Sequence, residues 1–195
     1  MTTDNAIAEP LVTTEVADYD VESVREEWVG RIVATSTGRY PVEYDAIRRY
    51  CHMTGDTNPL FLDREAAAAG PYGAIIVPPP MIPNFAGNGT WPRKEKTGAT
   101  TEKRPGFTYG IPTPGKLGIM MNIAWKYLGP VRVGDHLHGQ TVITDVFLKP
   151  IKLDPLAVWI VTRTDIWNQH DELVAEGTNT VLTHRSPRQV KEDSR

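Results

Sequence analysis

Cysteine is almost absent from this sequence of 195 residues, which contains only Cys51. A single thiol excludes an intramolecular disulfide and any zinc site built from several cysteines. A low cysteine content is typical of proteins of the reducing cytoplasm, where thiols stay free. We therefore expect a cytoplasmic protein that folds without a disulfide.

Long hydrophobic runs are also missing. No stretch approaches the ~18 consecutive apolar residues that a membrane-spanning helix requires. The N-terminus reads Met1-Thr-Thr-Asp-Asn and lacks the charged and then apolar layout of a signal peptide. The sequence therefore predicts a protein with neither a membrane span nor a secretion signal.

The chain has little net charge, because 21 basic residues stand against 24 acidic ones, a balance of −3. Such a balance provides no electrostatic footprint for nucleic acid. Apolar residues make up 40% of the chain and charged residues 23%, which is typical of a globular protein. Proline, in contrast, is in excess, since its 16 residues are ~8% of the chain and the average is ~5%.

The length predicts a single domain. Residues 1–18 are polar without a sustained periodic pattern, and we expect a flexible N-terminal tail there. The domain itself is expected to span residues 19–186. The charged residues 187–195 are expected to form a C-terminal tail.

Helical patterns lie in the first half of the chain. Apolar residues at helical spacing predict helices over Val21–Trp28 and Tyr44–Cys51. A third, short helix is predicted between Asp63 as N-cap and Gly70 as C-cap. Since proline is tolerated in the first turn of a helix, a buried helix is predicted from Pro79 or Pro80 to Phe85.

The second half of the chain has strand patterns. Four β-rich runs are Lys116–Tyr127, Asp135–Leu148, Ala157–Asn168 and Glu172–His184. Short turns separate the last three runs, which predicts an antiparallel meander. Helices followed by long antiparallel strands favour an α+β fold in which one sheet wraps around a central helix.

The turn after the second predicted helix is the most informative segment, and it reads Thr54-Gly-Asp-Thr-Asn-Pro-Leu-Phe-Leu-Asp63. It resembles the signature of the MaoC-like, (R)-specific enoyl-CoA hydratases, which is Ser/Thr-Gly-Asp-x-Asn-Pro-apolar-His-x-Asp. The residues that match the signature are Thr54, Gly55, Asp56, Asn58, Pro59, Leu60 and Asp63. Phe61 occupies the position at which the family has its catalytic histidine.

Two further segments extend this resemblance. Gly70–Met81 resembles the run that leads into the central helix of the hot-dog fold, and Val131–Leu137 resembles the turn that opens the following strand. Together the similar segments cover roughly residues 22–185. The resemblance implies a hot-dog fold, an antiparallel sheet wrapped around a central helix, in which paired sheets hold the acyl-CoA site at their interface.

Hydration of an α,β-unsaturated thioester needs a base that activates water and a proton for the α-carbon. A neighbouring carboxylate and imidazole can share these tasks, while a backbone N–H at a helix start stabilises the thioester oxygen. The resemblance implies that Asp and His of the motif form this pair, with a glycine as the N–H donor. This chain retains Asp56, but Phe61 cannot exchange a proton. Its helix start, Pro78-Pro79-Pro80, has no N–H to donate.

These departures resemble the non-catalytic half of double hot-dog hydratases, which are related to the fatty-acid-synthase-like dehydratase domain. They imply a subunit of a hetero-oligomeric hydratase whose partner, a catalytic MaoC-like hot-dog subunit, supplies the Asp and His. Asp56 is then vestigial or assisting. The residues expected to bind the acyl-CoA substrate are Asp56, Asn58, Phe61, Pro80 and Met81. A site without its catalytic set could take a bulky acyl group, such as a steroid side chain, and no metal or cofactor is expected besides the CoA that carries the substrate.

Other interpretations remain open. Asp56 and Asn58 could only fix the turn through side-chain to backbone hydrogen bonds. The chain could be a self-sufficient homo-oligomeric hydratase that uses Asp56 with a non-standard base such as His52. It could also be a non-enzymatic acyl-CoA binding protein.

Two other features bear on function. His136 and His138 fall on one face of a predicted strand, and without a third ligand nearby they favour a solvent-facing pair over a metal site. Residues 88–115 form a long loop, whose basic residues either meet CoA phosphates or are merely solvated. Its aromatic residues Trp91, Phe107 and Tyr109 are expected to cover the acyl pocket or the subunit interface.

Overall fold

The computed structural model describes residues 19–87 and 108–193. The expected N-terminal tail, residues 1–18, lies outside the described residues. So does most of the predicted loop 88–115, of which only residues 108–115 are described.

One five-stranded antiparallel sheet dominates the described structure. Its strands are β1 (Ile32–Thr37), β2 (Leu117–Tyr127), β3 (His138–Leu148), β4 (Val158–Trp167) and β5 (Leu173–His184). Their spatial order is β1-β3-β4-β5-β2. The predicted meander of the last three strands is confirmed, and each predicted strand differs from its observed bounds by at most three residues. The sheet together with its helices confirms the expected α+β class.

Within the described residues, six α-helices and one 3₁₀ turn accompany the sheet. They are α1 (Val21–Trp28), α2 (Tyr44–Thr54), α3 (Pro59–Leu62), α4 (Arg64–Ala69), the 3₁₀ turn Pro79–Met81, α5 (Ile82–Phe85) and α6 (Pro187–Glu192). Side-chain caps start several of them, because Asp20, Asn58 and Asp63 each accept hydrogen bonds from backbone N–H groups of the first turn. The helix predicted to begin near Pro79 is thus a 3₁₀ turn that continues as α5.

Helix α6 lies inside the segment that the sequence assigned to a C-terminal tail. Ser186 and Gln189 form a reciprocal capping box at its start. Arg185 Nη1 also donates to Asp193 Oδ2 at 2.8 Å, which holds the end of the helix against the sheet. Local capping and this ion pair therefore order a segment whose charged composition predicts fraying.

Two apolar clusters of the described residues lie on the inner face of the sheet. We define this face by the β4 residues Val158, Ile160, Thr162, Thr164 and Ile166. Side chains two residues apart in a strand share a face. Ile166 belongs to a large cluster packed with α2 to α5. Ile160 belongs to a second cluster that α1 covers. The two clusters therefore lie side by side on one face, at opposite ends of the strands.

Within residues 19–87 and 108–193, no helix is long and apolar enough to cross a membrane.

Candidate functional site

Two consecutive hydrogen bonds from side chains to the backbone fix the motif turn between α2 and α3. Gly55 ends α2 in the left-handed conformation with φ of 70°, which suits a residue without a Cβ. Asp56 Oδ1 then accepts from the N–H of Asn58 at 2.9 Å, and Asn58 Oδ1 accepts from the N–H of Leu60 at 3.0 Å. Both side chains thus satisfy backbone donors at the start of α3, the turn-fixing interpretation left open above.

Phe61, at the position of the family's histidine, is part of the hydrophobic core. It is 7% exposed and packs in the large cluster together with Met81, which is 6% exposed. Because both side chains are buried, they pack against other apolar residues and are shielded from solvent. Their predicted contact with an acyl group stays a prediction.

The start of the 3₁₀ turn offers no free backbone donor. Pro78, Pro79 and Pro80 have no N–H. The next two amides are already engaged, since Met81 N donates to the carbonyl of Pro78 at 2.8 Å and Ile82 N donates to that of Pro79. Pro80 itself is exposed. The geometry therefore provides no oxyanion hole at this helix start.

His52, the alternative base, lies in the last turn of α2 and is exposed. Among the described residues it has no hydrogen-bond or ion-pair partner that would orient its ring. The carboxylate of Asp56, four residues away, is engaged with the Asn58 amide. The described geometry therefore does not build a pair from Asp56 and His52.

The remaining histidines have separate surroundings. His138 stacks on Trp167 with ring centroids 5.6 Å apart, and its Nε2 lies 3.4 Å from Asp171 Oδ1. His184 is buried, with its Nδ1 2.8 Å from the carbonyl oxygen of Arg185. In the described part of the chain, no group of three or more His, Cys, Asp or Glu side chains could hold a metal ion.

Strand β2 forms one edge of the sheet, and its apolar side chains remain largely exposed. These are Leu117, Ile119, Met120, Met121, Ile123 and Tyr127. Within the described residues, β2 pairs with β5 on one side only. A long apolar edge strand with unpaired backbone groups is a template for another strand.

Sequence reasoning missed a group of polar side chains at the centre of the inner face. Thr141, Thr162, Thr164 and Asn179, here called the polar belt, lie between the two apolar clusters. The ladder places Thr162 opposite Asn179, and Thr164 opposite Thr141, whose hydroxyl oxygen is 2.9 Å away. Polar residues at inward positions of alternating strands could have signalled this belt, but strand neighbours must be known before the positions can be matched.

Of the three loop aromatic residues, Tyr109 is described, whereas Trp91 and Phe107 lie outside the described residues. Tyr109 packs against the second apolar cluster. Burial raises the pKa of its phenol, and a hydrogen bond with Thr162 offsets part of that rise. Its φ of 57° is unusual for a residue other than glycine. Tyr109 is therefore held in a strained conformation next to the polar belt.

A family model described as "FAS1-like, dehydratase domain region" matches residues 27–177. A probable enoyl-CoA hydratase alpha subunit of Thermomonospora curvata is 38% identical over 64 residues, which are 32% of this chain and 20% of that protein. This chain therefore aligns with about a fifth of the length of that relative.

Solved structures match over most of the chain. The ChsH1-ChsH2 complex from Mycobacterium tuberculosis gives a TM-score of 0.63 at 20% identity, covering 85% of this chain and 94% of that one. The MaoC-like dehydratase from Rhodospirillum rubrum gives 0.53 at 20% identity, with 89% and 99% covered. The C-terminally truncated HadBC (3R-hydroxyacyl-ACP dehydratase) complex from M. tuberculosis gives 0.54 at 19% identity, with 84% and 98% covered. At these identities the likeness concerns the fold, which is the hot-dog fold expected from the sequence.

Proposed function

The chain belongs to the FAS1-like dehydratase domain region family, within the MaoC-like hot-dog proteins, and on that basis we propose that it is the non-catalytic, acyl-binding subunit of a hetero-oligomeric (R)-specific enoyl-CoA hydratase. In this proposal a second hot-dog subunit carries the Asp and His that transfer protons. The present chain supplies part of the acyl-CoA site.

One observation carries the proposal. The position that should hold the proton-transferring imidazole is occupied by Phe61, which is buried in the core. The three prolines at Pro78–Pro80 remove the donors that should face the thioester oxygen, and the next two amides are already bonded. Because a hydratase needs both groups, this chain requires them from elsewhere.

The exposed edge strand β2 supports a partner subunit. Its unpaired backbone groups suit the edge-to-edge addition of a second sheet, and its exposed apolar side chains would then lie at the subunit interface. Two of the similar structures, ChsH1-ChsH2 and HadBC, are complexes by name. We infer that β2 is where the catalytic MaoC-like subunit pairs with this chain.

The substrate in this proposal is an acyl-CoA with a bulky acyl group, in the breakdown of fatty acids or steroids. Phe61 and Met81 would lie behind the acyl group, with Asp56 and Asn58 shaping the turn beside it. CoA is only the carrier of the substrate, and the chemistry needs no further cofactor. A cytoplasmic location is part of the proposal, in keeping with the single free thiol of Cys51.

Hydration assays on three preparations test this function. The first preparation is the chain alone, the second is the chain with a MaoC-like hot-dog protein that retains Asp-x-x-x-x-His, and the third is that protein alone. Each is assayed with crotonyl-CoA and with a longer branched enoyl-CoA. We expect a complex of defined mass and hydration of the branched substrate only when both chains are present.

Each alternative gives a different result in the same experiment. Ordinary enzymatic rates from the chain alone would contradict the proposal, and their loss in His52→Ala would support the homo-oligomeric enzyme. Acyl-CoA binding without hydration in any preparation would favour a binding protein. The matched control is the partner with its own motif histidine replaced by alanine, which should abolish activity of the complex without dissociating it.

A further inference from the structure

The inner face of the sheet has an unsatisfied hydrogen-bond acceptor at its centre. Asn179 Oδ1 is buried and has no hydrogen-bond partner among the described residues. A buried amide oxygen without a donor costs about 1–3 kcal/mol, so such groups normally face a water molecule or a ligand in the working protein. We therefore expect this oxygen to accept a hydrogen bond from a group outside the described chain.

Polar groups surround Asn179, but no described neighbour donates a hydrogen bond to its Oδ1. The hydroxyl of Thr162, opposite Asn179 in the ladder, lies 3.5 Å from the carbonyl oxygen of Asn179, to which it donates. Thr141 and Thr164 bond to one another, which uses one of their two hydroxyl protons, but neither hydroxyl is bonded to the amide oxygen of Asn179. Within the polar belt, only Asn179 has a buried side-chain atom without a partner among the described residues.

Exposed apolar side chains of the edge strand lie beside this amide. Ile123 lies opposite Asn179 on β2 and is 53% exposed, and Met120 lies opposite Val181 and is 50% exposed. Partners in an antiparallel ladder share a face, so both side chains lie on the inner face beside Asn179. On the side of the large cluster, the ring of Trp125 fills the space next to Gly177 on the same face. It lies so close that a Cβ atom on residue 177 would come within 2.7 Å of the ring.

Resting on the acyl binding proposed above, we propose that Met120, Ile123 and the polar belt form a subsite for a hydroxylated acyl group. The hydrocarbon would lie along Met120 and Ile123, and a hydroxyl within the acyl group would donate to Asn179 Oδ1. The substrate class is therefore an acyl-CoA with a hydrogen-bond donor remote from the thioester. An unsubstituted chain would leave the amide oxygen unsatisfied, which gives the site its preference.

The strained backbone of Tyr109 fits this assignment. Its left-handed conformation is followed by Gly110, also at positive φ. Tyr109 packs against the second apolar cluster, at one end of the polar belt.

Calorimetric titration of the full chain, alone and in its complex, tests the subsite. The probes are stearoyl-CoA and a set of hydroxystearoyl-CoA isomers with the hydroxyl at successive mid-chain carbons. We expect at least one isomer to bind about tenfold more tightly than stearoyl-CoA, the gain from one added hydrogen bond. Asn179→Leu should remove that preference while leaving the affinity for stearoyl-CoA within about twofold.

Thr180→Val is the matched control, because Thr180 is the next residue of β5 and points to the opposite face of the sheet. It should keep the full preference. If Asn179→Leu does not fold, Asn179→Ala withdraws the acceptor without adding apolar bulk. The proposal is overturned if the wild-type chain binds no isomer better than stearoyl-CoA. It is also overturned if the preference survives both Asn179 variants, because the amide oxygen would then bind a water molecule and not the ligand. Since binding is measured without turnover, failure of hydration in the complex would reject the hydratase role and leave this result standing.

Discussion

The carboxylate of Asp56 caps the backbone N–H of Asn58, with 2.9 Å between Oδ1 and the amide nitrogen. The family signature uses an aspartate at this position for proton transfer, whereas here the same side chain fixes a turn. The amide of Asn58 repeats the arrangement two residues on, where its Oδ1 accepts from Leu60 at 3.0 Å. In this chain the aspartate of the motif therefore has a local folding role, while Phe61 stands where the signature has histidine.

Asp56→Ala is expected to reduce stability more than activity. Loss of one capping hydrogen bond should cost about 1 kcal/mol of unfolding free energy. Because the proton-transferring pair belongs to the partner in our proposal, kcat of the complex should fall by less than about tenfold. Chemical denaturation and steady-state hydration kinetics measure the two effects. Asp63→Ala, which removes the cap of α4, is the control for a purely structural loss. A drop in kcat of about a thousandfold for Asp56→Ala but not for Asp63→Ala would make Asp56 catalytic.

Restoring the missing histidine should not restore catalysis. Phe61→His places an imidazole in the core, where it lacks a partner, and should cost about 2–4 kcal/mol. The prolines at the helix start still offer no donor to the thioester oxygen, so the chain alone should remain inactive toward crotonyl-CoA. Phe61→Leu, a change that nearly conserves volume, should cost about 1 kcal/mol. Appearance of hydration in Phe61→His would show that the proline run does not prevent oxyanion stabilisation.

A charge on the exposed edge strand should weaken the proposed assembly. Ile119→Lys is expected to raise the dissociation constant of the complex about thirtyfold, equivalent to about 2 kcal/mol, because the ammonium would be buried without a partner at the interface. Mass photometry or analytical ultracentrifugation measures the shift. Leu153→Lys alters an equally apolar, exposed side chain in the turn between β3 and β4 and should leave the complex intact. Equal effects of both variants would remove β2 from the interface.

The buried ion pair of Arg185 and Asp154 should make the fold sensitive to acid. Arg185 Nη2 lies 2.6 Å from Asp154 Oδ1, and the Arg185 backbone N–H lies 2.7 Å from Oδ2. Burial alone would raise the pKa of Asp154, but the hydrogen bonds from Arg185 and Leu156 outweigh it, and the pKa lies below its ordinary value. A depressed folded-state pKa gives stability that is complete above the unfolded value of ~3.9 and is lost as pH falls through the folded value.

Variants separate this pair from other carboxylates. Asp154→Ala leaves the guanidinium without its buried partner and should cost about 3–5 kcal/mol at pH 7. The double variant Asp154→Leu with Arg185→Met removes both charges but leaves the backbone N–H groups of Arg185 and Leu156 without their acceptor. It should therefore recover only part of that loss, and its stability should fall less than the wild type's between pH 5 and pH 3. Urea denaturation across this range measures both. Parallel pH profiles for the two proteins would mean that the acid sensitivity arises elsewhere.

The sequence by itself determined the features that depend on neighbouring residues. Caps such as Asp63 and Asn58 bond to amides two or three residues away, so residue type and spacing suffice to predict them. Strand alternation likewise depends on a period of two and located all four long strands. The inability of Phe61 and the three prolines to take part in hydration follows from their chemistry in any fold.

Only the tertiary structure decided which distant residues meet. The sheet order places β2 beside β5, which brings Ile123 and Asn179 together across 56 residues, and the ion pair of Asp154 and Arg185 spans 31. Helix α6 is ordered partly by that second network. Such contacts depend on how the sheet closes around its helices, and many pairings satisfy the same alternating pattern equally well. For that reason the motif could be interpreted from its residues, whereas the unsatisfied amide at the centre of the inner face appeared only with the fold.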